Sequence, residues 1–236
     1  MQRAGLPADM IKPKVLVGYS TCHLTRRAFQ QTGCLAWTCD VLPARDGETE
    51  FHLQCDIWHA LKSDVWDLAI LHPMCTYLTV SAAWAYGDGP YHQRVKPETL
   101  VGAARRAARD DAIRNFCALM ALTFPVIAEN PAPSFLNRAL CPPHQIIHPY
   151  QFGDDASKST GLWYNHAARD FPLLRSTCHI SPRMVNGRPR WSNQTYSGQN
   201  HLSPSVHRWI ERSKTYPGIA AAMGSQWGAY LLDHHG

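Results

Sequence analysis

Nowhere in these 236 residues does an apolar run approach the roughly 18 consecutive positions a membrane span needs, so no membrane-spanning helix is expected. Charged residues are scarce at 17%, against 45% hydrophobic, which excludes disorder, collagen-like repeats and coiled coils as descriptions of the whole chain. There is no internal repeat, no low-complexity tract, no phosphate-cradling P-loop and no C-x-x-C pair. Residues 1–14 lack an apolar core resembling a signal peptide. Eight cysteines without such a signal predict a reducing, cytoplasmic compartment rather than a disulfide scaffold. What remains is a soluble globular chain, long enough for one large domain or one domain with a small insertion. Its net charge of +5 and pI near 8.8 suit a polyanionic partner without establishing one.

The first half alternates between two hydrophobic periods. Val15, Leu16 and Val17 run into Gly18 and predict a buried strand, while 24–31 is helical in pattern, with Gly33 placed to end it. A second strand is expected over 35–41, with Asp40 near its end. Asp56 opens a helical stretch over 57–61, and 65–71 (VWDLAIL) reads as a third buried strand closed by Pro73. Strands alternating with helices predict an α/β doubly wound fold with right-handed crossovers and a mostly parallel sheet.

Residues 98–123 predict a long helix whose apolar side includes Leu100, Ala104, Ala107, Ala108, Ile113, Phe116, Cys117 and Met120. Arg106, Asp110 and Arg114 stand at four-residue spacing on it, where opposite charges attract. Arg105, Arg106 and Arg109 read as a solvated face laced with Asp110 and Asp111, not as a nucleic-acid patch. A further strand over 124–128 runs into Glu129, Asn130 and Pro131. The segment 165–205 is polar and aperiodic, carrying Arg169, Arg175, Arg183, Arg188 and Arg190 with few acids. It is a candidate insertion or recognition lobe on a catalytic domain made of 1–164 and 206–236. Helices are expected over 206–214 and 219–232.

In an open α/β sheet, ligands bind outside the carboxyl ends of the strands. The stretch His72-Pro73-Met74-Cys75-Thr76-Tyr77 follows a buried strand directly, which presents Cys75 to a cleft; a small buried residue is the bland alternative. Ala128-Glu129-Asn130-Pro131 ends the next strand on the same edge. A strand-end acid by itself caps a helix or joins an ion pair. Beside a thiolate, it suits covalent attack on an electron-poor ring with protonation of a ring nitrogen. The first strand-to-helix turn, Gly18 to Cys22, has a single glycine and no G-x-G-x-x-G; Asp40 stands where a doubly wound domain holds a ribose. Cys141-Pro-Pro-His144 with His148 and Cys178-His179 has zinc-like spacing, but the Pro-Pro pair and the missing C-x-x-C favour ordinary loop residues, and no metal is expected. Trp58, Trp66, Trp84 and Trp163 read as packing.

Taken together, these stretches resemble the cytosine C5 DNA methyltransferase superfamily, most closely its short members typical of phages and mobile elements. Residues 15–21 resemble the first S-adenosylmethionine-binding motif, Asp40 the ribose-binding acid and Asp56 the acid that contacts the adenine. Residues 67–77 (DLAILHPMCTY) resemble the catalytic-cysteine motif and 126–131 (VIAENP) the Glu-Asn motif. Residues 151–163 resemble the strand carrying a basic residue, with Lys158 as candidate, and 216–227 (YPGIAAAMGSQW) the last motif, which closes the cofactor site.

The resemblance implies a Rossmann-like S-adenosylmethionine-dependent methyltransferase fold, S-adenosylmethionine as cofactor, and DNA, duplex or single-stranded, as partner. Tyr19, Ser20, Thr21, Asp40, Asp56, Pro73 and Ser225 would surround the cofactor. Cys75, Glu129 and Lys158 would act on the base, with Asn130, Thr76 and Tyr77 at the substrate. Adding Cys75 to carbon 6 of cytosine loads electron density onto carbon 5, and Glu129 holds ring N3 protonated; in a duplex the base must first be flipped out. The chain departs from the family pattern at Met74, which separates Pro73 from Cys75, in the first motif, which lacks Phe-x-Gly-x-Gly, and in the basic motif, which is not a pair of arginines. A catalytically silent nucleic-acid- or nucleotide-binding relative, and an enzyme modifying another pyrimidine, stay open as alternatives.

Overall fold

The computed structural model describes residues 12–201 and 215–234; the helix expected over 206–214 lies outside them. The chain enters on β1 (Lys14–Gly18), turns into α1 (Leu24–Thr32) and returns on β2 (Leu35–Asp40). Gly33 ends α1 in the left-handed conformation, φ 111°, as its place in the sequence predicts. After β3 (His52–Gln54), α2 (Ile57–Ser63) is capped by Asp56, whose side chain accepts from the Trp58 N–H, and leads to β4 (Leu68–Leu71). Then come α3 (Gly102–Met120), β5 (Val126–Pro131), the single turn α4 (Leu136–Ala139), β6 (Gln145–Ile147) and β7 (Thr160–Tyr164). A hairpin, β8 (Arg183–Val185) and β9 (Arg188–Arg190), precedes the last helix, α5 (Pro217–His234).

Seven strands form one sheet in the order β3-β2-β1-β4-β5-β7-β6. The pairs from β3 to β5 are parallel, while β7 runs antiparallel to both β5 and β6. Parallel strands bury both faces, which is why their sequences are continuous apolar runs. Val15, Leu68, Ile70, Ile127 and Leu162 pack on one side with Phe29 of α1 and Met223 and Trp227 of α5. Leu16, Ala69, Leu71, Val126, Ala128 and Trp163 pack on the other with Ile57 of α2 and Phe116 and Leu119 of α3. Adjacent residues of one strand thus belong to opposite cores, and the fold is the doubly wound α/β sheet expected. Helices α1 and α5 approach so closely that a Cβ at Gly224 would stand 2.5 Å from the Ala28 carbonyl carbon.

Several boundaries differ from the sequence reading. The third strand starts at Leu68 because Val65 is exposed and the chain is still arriving at the sheet. β3 is too short and too polar to leave a hydrophobic run. β5 continues through Pro131, since Glu129, Asn130 and Pro131 pair with Leu162, Gly161 and Thr160 of β7. Trp66 and Trp163 are buried, as expected of packing residues.

The arginine face of α3 needs correction. Arg105 is buried, 5% exposed, its guanidinium donating to the carbonyls of Leu100 and Thr76 and stacking over the Tyr77 and Tyr86 rings. Arg109 also stacks on Tyr86 and Phe135. The ion pairs of the helix are Arg106 with Asp88, Arg109 with Asp110 and Arg114 with Asp111, instead of the four-residue ladder.

Within 165–205, the leading residues join the main core: Ala168, Phe171 and Leu174 are buried there. Asn165, 3% exposed, accepts from Val126 N and Ala168 N and donates to the carbonyls of Leu122 and Phe124. The β8–β9 hairpin turns at Asn186 and Gly187, both at positive φ, 49° and 71°. The segment leaving it is tied down near Lys158. Trp191 stacks on Tyr150 at 4.4 Å, Ser192 bonds Asp155, and Asn193 exchanges two 2.9 Å hydrogen bonds with the Ser157 backbone.

Candidate active site

Strand register assembles the site. Gly18 pairs with Cys39 on β2 and with Leu71 on β4, and Leu71 pairs with Ala128 on β5. One step further along each strand stand Asp40, Tyr19, His72 and Glu129, a row across the carboxyl edge of four neighbouring parallel strands. Two hydrogen bonds fix its centre. His72 N donates to Gly18 O at 3.1 Å, and Asn130 Nδ2 donates to Pro73 O at 2.9 Å.

The loop after β4 is held from three directions. The Cys75 carbonyl accepts from Leu78 N and Thr79 N, both at 3.0 Å. Arg105 bonds the Thr76 carbonyl at 3.2 Å, and the Tyr86 hydroxyl donates to the Tyr77 carbonyl at 2.8 Å. Met74, 65% exposed, lengthens the loop between the anchored Pro73 and Cys75.

A cavity of about 260 Å³ opens here, close to the lower bound of roughly 300 Å³ for small-molecule sites. Tyr19, Pro73, Cys75 and Thr76 line it from the β1 and β4 ends; Glu129 and Asn130 line it from β5. Lys158 reaches it from the segment before β7, and Ile219 and Met223 supply an apolar wall from α5. Seven of the residues singled out in the sequence are therefore brought together: Tyr19, Pro73, Cys75, Thr76, Glu129, Asn130 and Lys158.

Glu129 is the electrostatic centre. Its side chain is 15% exposed, with His72 Nδ1 3.2 Å from Oε2 and Lys158 Nζ 3.8 Å from Oε1. Burial alone would push its carboxyl up. The Lys158 ammonium and the hydrogen bond and charge of His72 outweigh burial and hold it at about 2. At neutral pH the group is a carboxylate. Three buried polar atoms of the site have no hydrogen-bond partner among the described residues: Glu129 Oε1, His72 Nε2 and Asn130 Oδ1. Leaving such atoms unsatisfied costs roughly 1–3 kcal/mol each, which a ligand with matching groups would offset.

Other sequence candidates lie elsewhere. Tyr77 is turned to Arg105, beneath the loop. Ser20 is buried with its hydroxyl bonded to the Cys22 carbonyl, and the buried Thr21 accepts Arg45 N at its carbonyl, so both shape the β1–α1 turn. Ser225 is exposed on α5, its hydroxyl bonded within the helix to Ala222, while the same helix sends Ile219 and Met223 to the cavity. His72 entered the sequence reading only as part of the cysteine motif, and Tyr216, Ile219 and Met223 only as part of the 216–227 motif, with no role of their own. Register across β4 and β5 was the one signal able to single out His72.

For an S-adenosyl group the donor set fits in part. Asp40 is half-buried and accepts Leu42 N, Asp56 is exposed at the α2 cap, and Tyr19 lies close enough to Asp56 to feel its charge. Two carboxylates beside an aromatic ring at one sheet edge match the hydroxyl and amine donors of a nucleoside. Gly18 offers no cradle to a ligand, because a Cβ there would meet Ile57 at 2.4 Å and Leu71 at 2.6 Å. No group of three or more His, Cys, Asp or Glu able to hold a metal occurs among the described residues; His144 Nδ1 accepts Tyr164 N and His148 stacks on Tyr150. Among them, too, no helix is long and apolar enough to cross a membrane.

The strand order, with β7 reversed between β5 and β6, is that of a doubly wound, mostly parallel α/β sheet. No protein-family model matches the chain, and no curated protein matches it. Among solved structures, a triple mutant of Spodoptera frugiperda DNMT2 is similar at 14% identity with a TM-score of 0.41, over 76% of this chain and 57% of that one. A protein described as a DNA modification methyltransferase encoded within an E. coli prophage is similar at 14% identity with a TM-score of 0.42, over 75% of this chain and 54% of that one. The chain thus spans a little over half the length of either.

Proposed function

We propose that this protein transfers a methyl group from S-adenosylmethionine to carbon 5 of cytosine in DNA, through a covalent adduct at Cys75 assisted by Glu129. The observation that carries the reading is the convergence of Cys75, Glu129, Asn130 and Lys158 on one cavity at the carboxyl edge of the sheet. Tyr19, Asp40 and Asp56 are the residues that would hold the cofactor, which supplies an electrophilic methyl group when bound.

The chain's own residues divide the remaining work. Cys75 adds as thiolate to carbon 6, so the ring gives up aromaticity and carbon 5 becomes nucleophilic. The electron density moved into the ring is balanced by a proton that N3 takes up from solvent and gives back when the ring is restored. Glu129, ionised between Lys158 and His72, is an acceptor for that N3–H and for the neighbouring amine, and so stabilises the adduct electrostatically. Asn130 fixes Pro73, and with it the approach to Cys75. Loss of the carbon 5 proton to solvent expels the thiolate, and release of the N3 proton returns the ring to its neutral aromatic form.

The basic hairpin, with Arg183 and Arg188 exposed, is the surface that would meet the DNA backbone. Incubation with methyl-labelled S-adenosylmethionine and DNA should label carbon 5 of cytosine, and DNA carrying 5-fluorocytosine should trap a covalent adduct that Cys75→Ser abolishes. Failure to label duplex and single-stranded DNA alike, or full activity in Cys75→Ser, would remove the proposal.

A further inference from the structure

We infer that His72 is a positioning residue for Glu129: its Nδ1–H holds Oε2 and so fixes the plane of the carboxylate at the cavity wall. The inference rests on the site reading given above. It starts from register, since the pairing of Leu71 with Ala128 places the next residues, His72 and Glu129, opposite each other. The imidazole is pinned at both ends of its residue, by the bond from its backbone N–H to Gly18 O and by the 3.2 Å contact of Nδ1 with Oε2.

An ionised carboxylate only accepts hydrogen bonds, so Nδ1 must carry the hydrogen. The two oxygens of Glu129 are then inequivalent. Oε2 is engaged by His72, whereas Oε1 is buried with no hydrogen bond from the described residues and has Lys158 Nζ at 3.8 Å, too far for one. A freely rotating carboxylate would present either oxygen, and a flat ring bound against it would meet both orientations. With Oε2 fixed, the carboxylate meets the cavity in one orientation. His72 and Lys158 are therefore not interchangeable. Lys158 supplies charge at a distance, and His72 supplies direction.

Two readouts test this. Nitrogen-15 NMR of the labelled imidazole should show Nδ1 of His72 protonated in the wild-type protein at neutral pH, and lose that signature in Glu129→Ala. Adduct formation with 5-fluorocytosine DNA should fall about 10–100-fold in His72→Leu, the worth of one hydrogen bond to a charged group, chiefly in the rate of adduct formation and not in DNA affinity. His72→Asn, which keeps an N–H donor, should recover most of the loss. A bare Nδ1, or His72→Asn as impaired as His72→Leu while both fold, overturns the inference. A wild-type protein that forms no adduct overturns the methyl-transfer reading, and the protonation of Nδ1 then decides the role of His72 alone.

Discussion

Glu129 keeps its charge in a setting that by desolvation alone would neutralise it, because His72 reaches it from the loop after β4 and Lys158 from the segment before β7. The same arrangement has a consequence for stability. A carboxyl held at about 2 when folded, below its ordinary 4.5, binds its proton more weakly in the folded state than in the unfolded one. Its contribution to stability is full above the unfolded value and is lost as pH falls from there through the folded value. Thermal unfolding between about pH 4.5 and 2 should therefore show a steeper loss of Tm in the wild-type protein than in Glu129→Gln. Parallel pH profiles would remove the argument. At this scale Cys75 and Glu129 were legible in the sequence because each follows a buried apolar run, whereas nothing local marks His72 apart from an ordinary loop residue.

Helix α3 shows how an element can be read correctly as helix and wrongly as surface. Its arginines are spaced for a solvated face, yet Arg105 turns inward to bridge the cysteine loop and to stack between Tyr77 and Tyr86. Long side chains bury their stems and keep donors for carbonyls, so composition does not tell which face an arginine takes. Arg105→Met should lower stability to urea by about 1.5–3 kcal/mol through the lost hydrogen bonds of a charged donor. It should also slow adduct formation at Cys75, since the Thr76 carbonyl loses its brace. A variant as stable and as active as wild type would show that the contact does not hold the loop.

Over the whole molecule, the sheet and the basic hairpin are joined next to Lys158. Ser192 and Asn193, in the segment leaving the hairpin, are bonded to Asp155 and Ser157, so the base of the hairpin is tied to the segment that carries Lys158. Residues 171–201 hold Arg175, Arg183, Arg188 and Arg190 and no Asp or Glu. If the hairpin meets phosphates, Arg188→Ala should weaken DNA binding to a similar degree across sequences and reduce the slope of log affinity against log salt by about 1. Filter or fluorescence binding at several salt concentrations measures it, and an unchanged slope would separate the hairpin from the DNA path.

The sequence by itself determined the alternation of strands and helices, the helix stop at Gly33, the α2 cap at Asp56 and the two strand ends that carry Cys75 and Glu129. These are written in contiguous residues, where hydrophobic period and strand-end punctuation act locally. Only the tertiary structure decided that Asp40, Tyr19, His72 and Glu129 share one row, that Lys158 reaches Glu129 while Ser225 turns away, and that Arg105 is buried. Register between strands and the facing of a helix depend on which distant residues pack together, and packing is a property of the assembled cores.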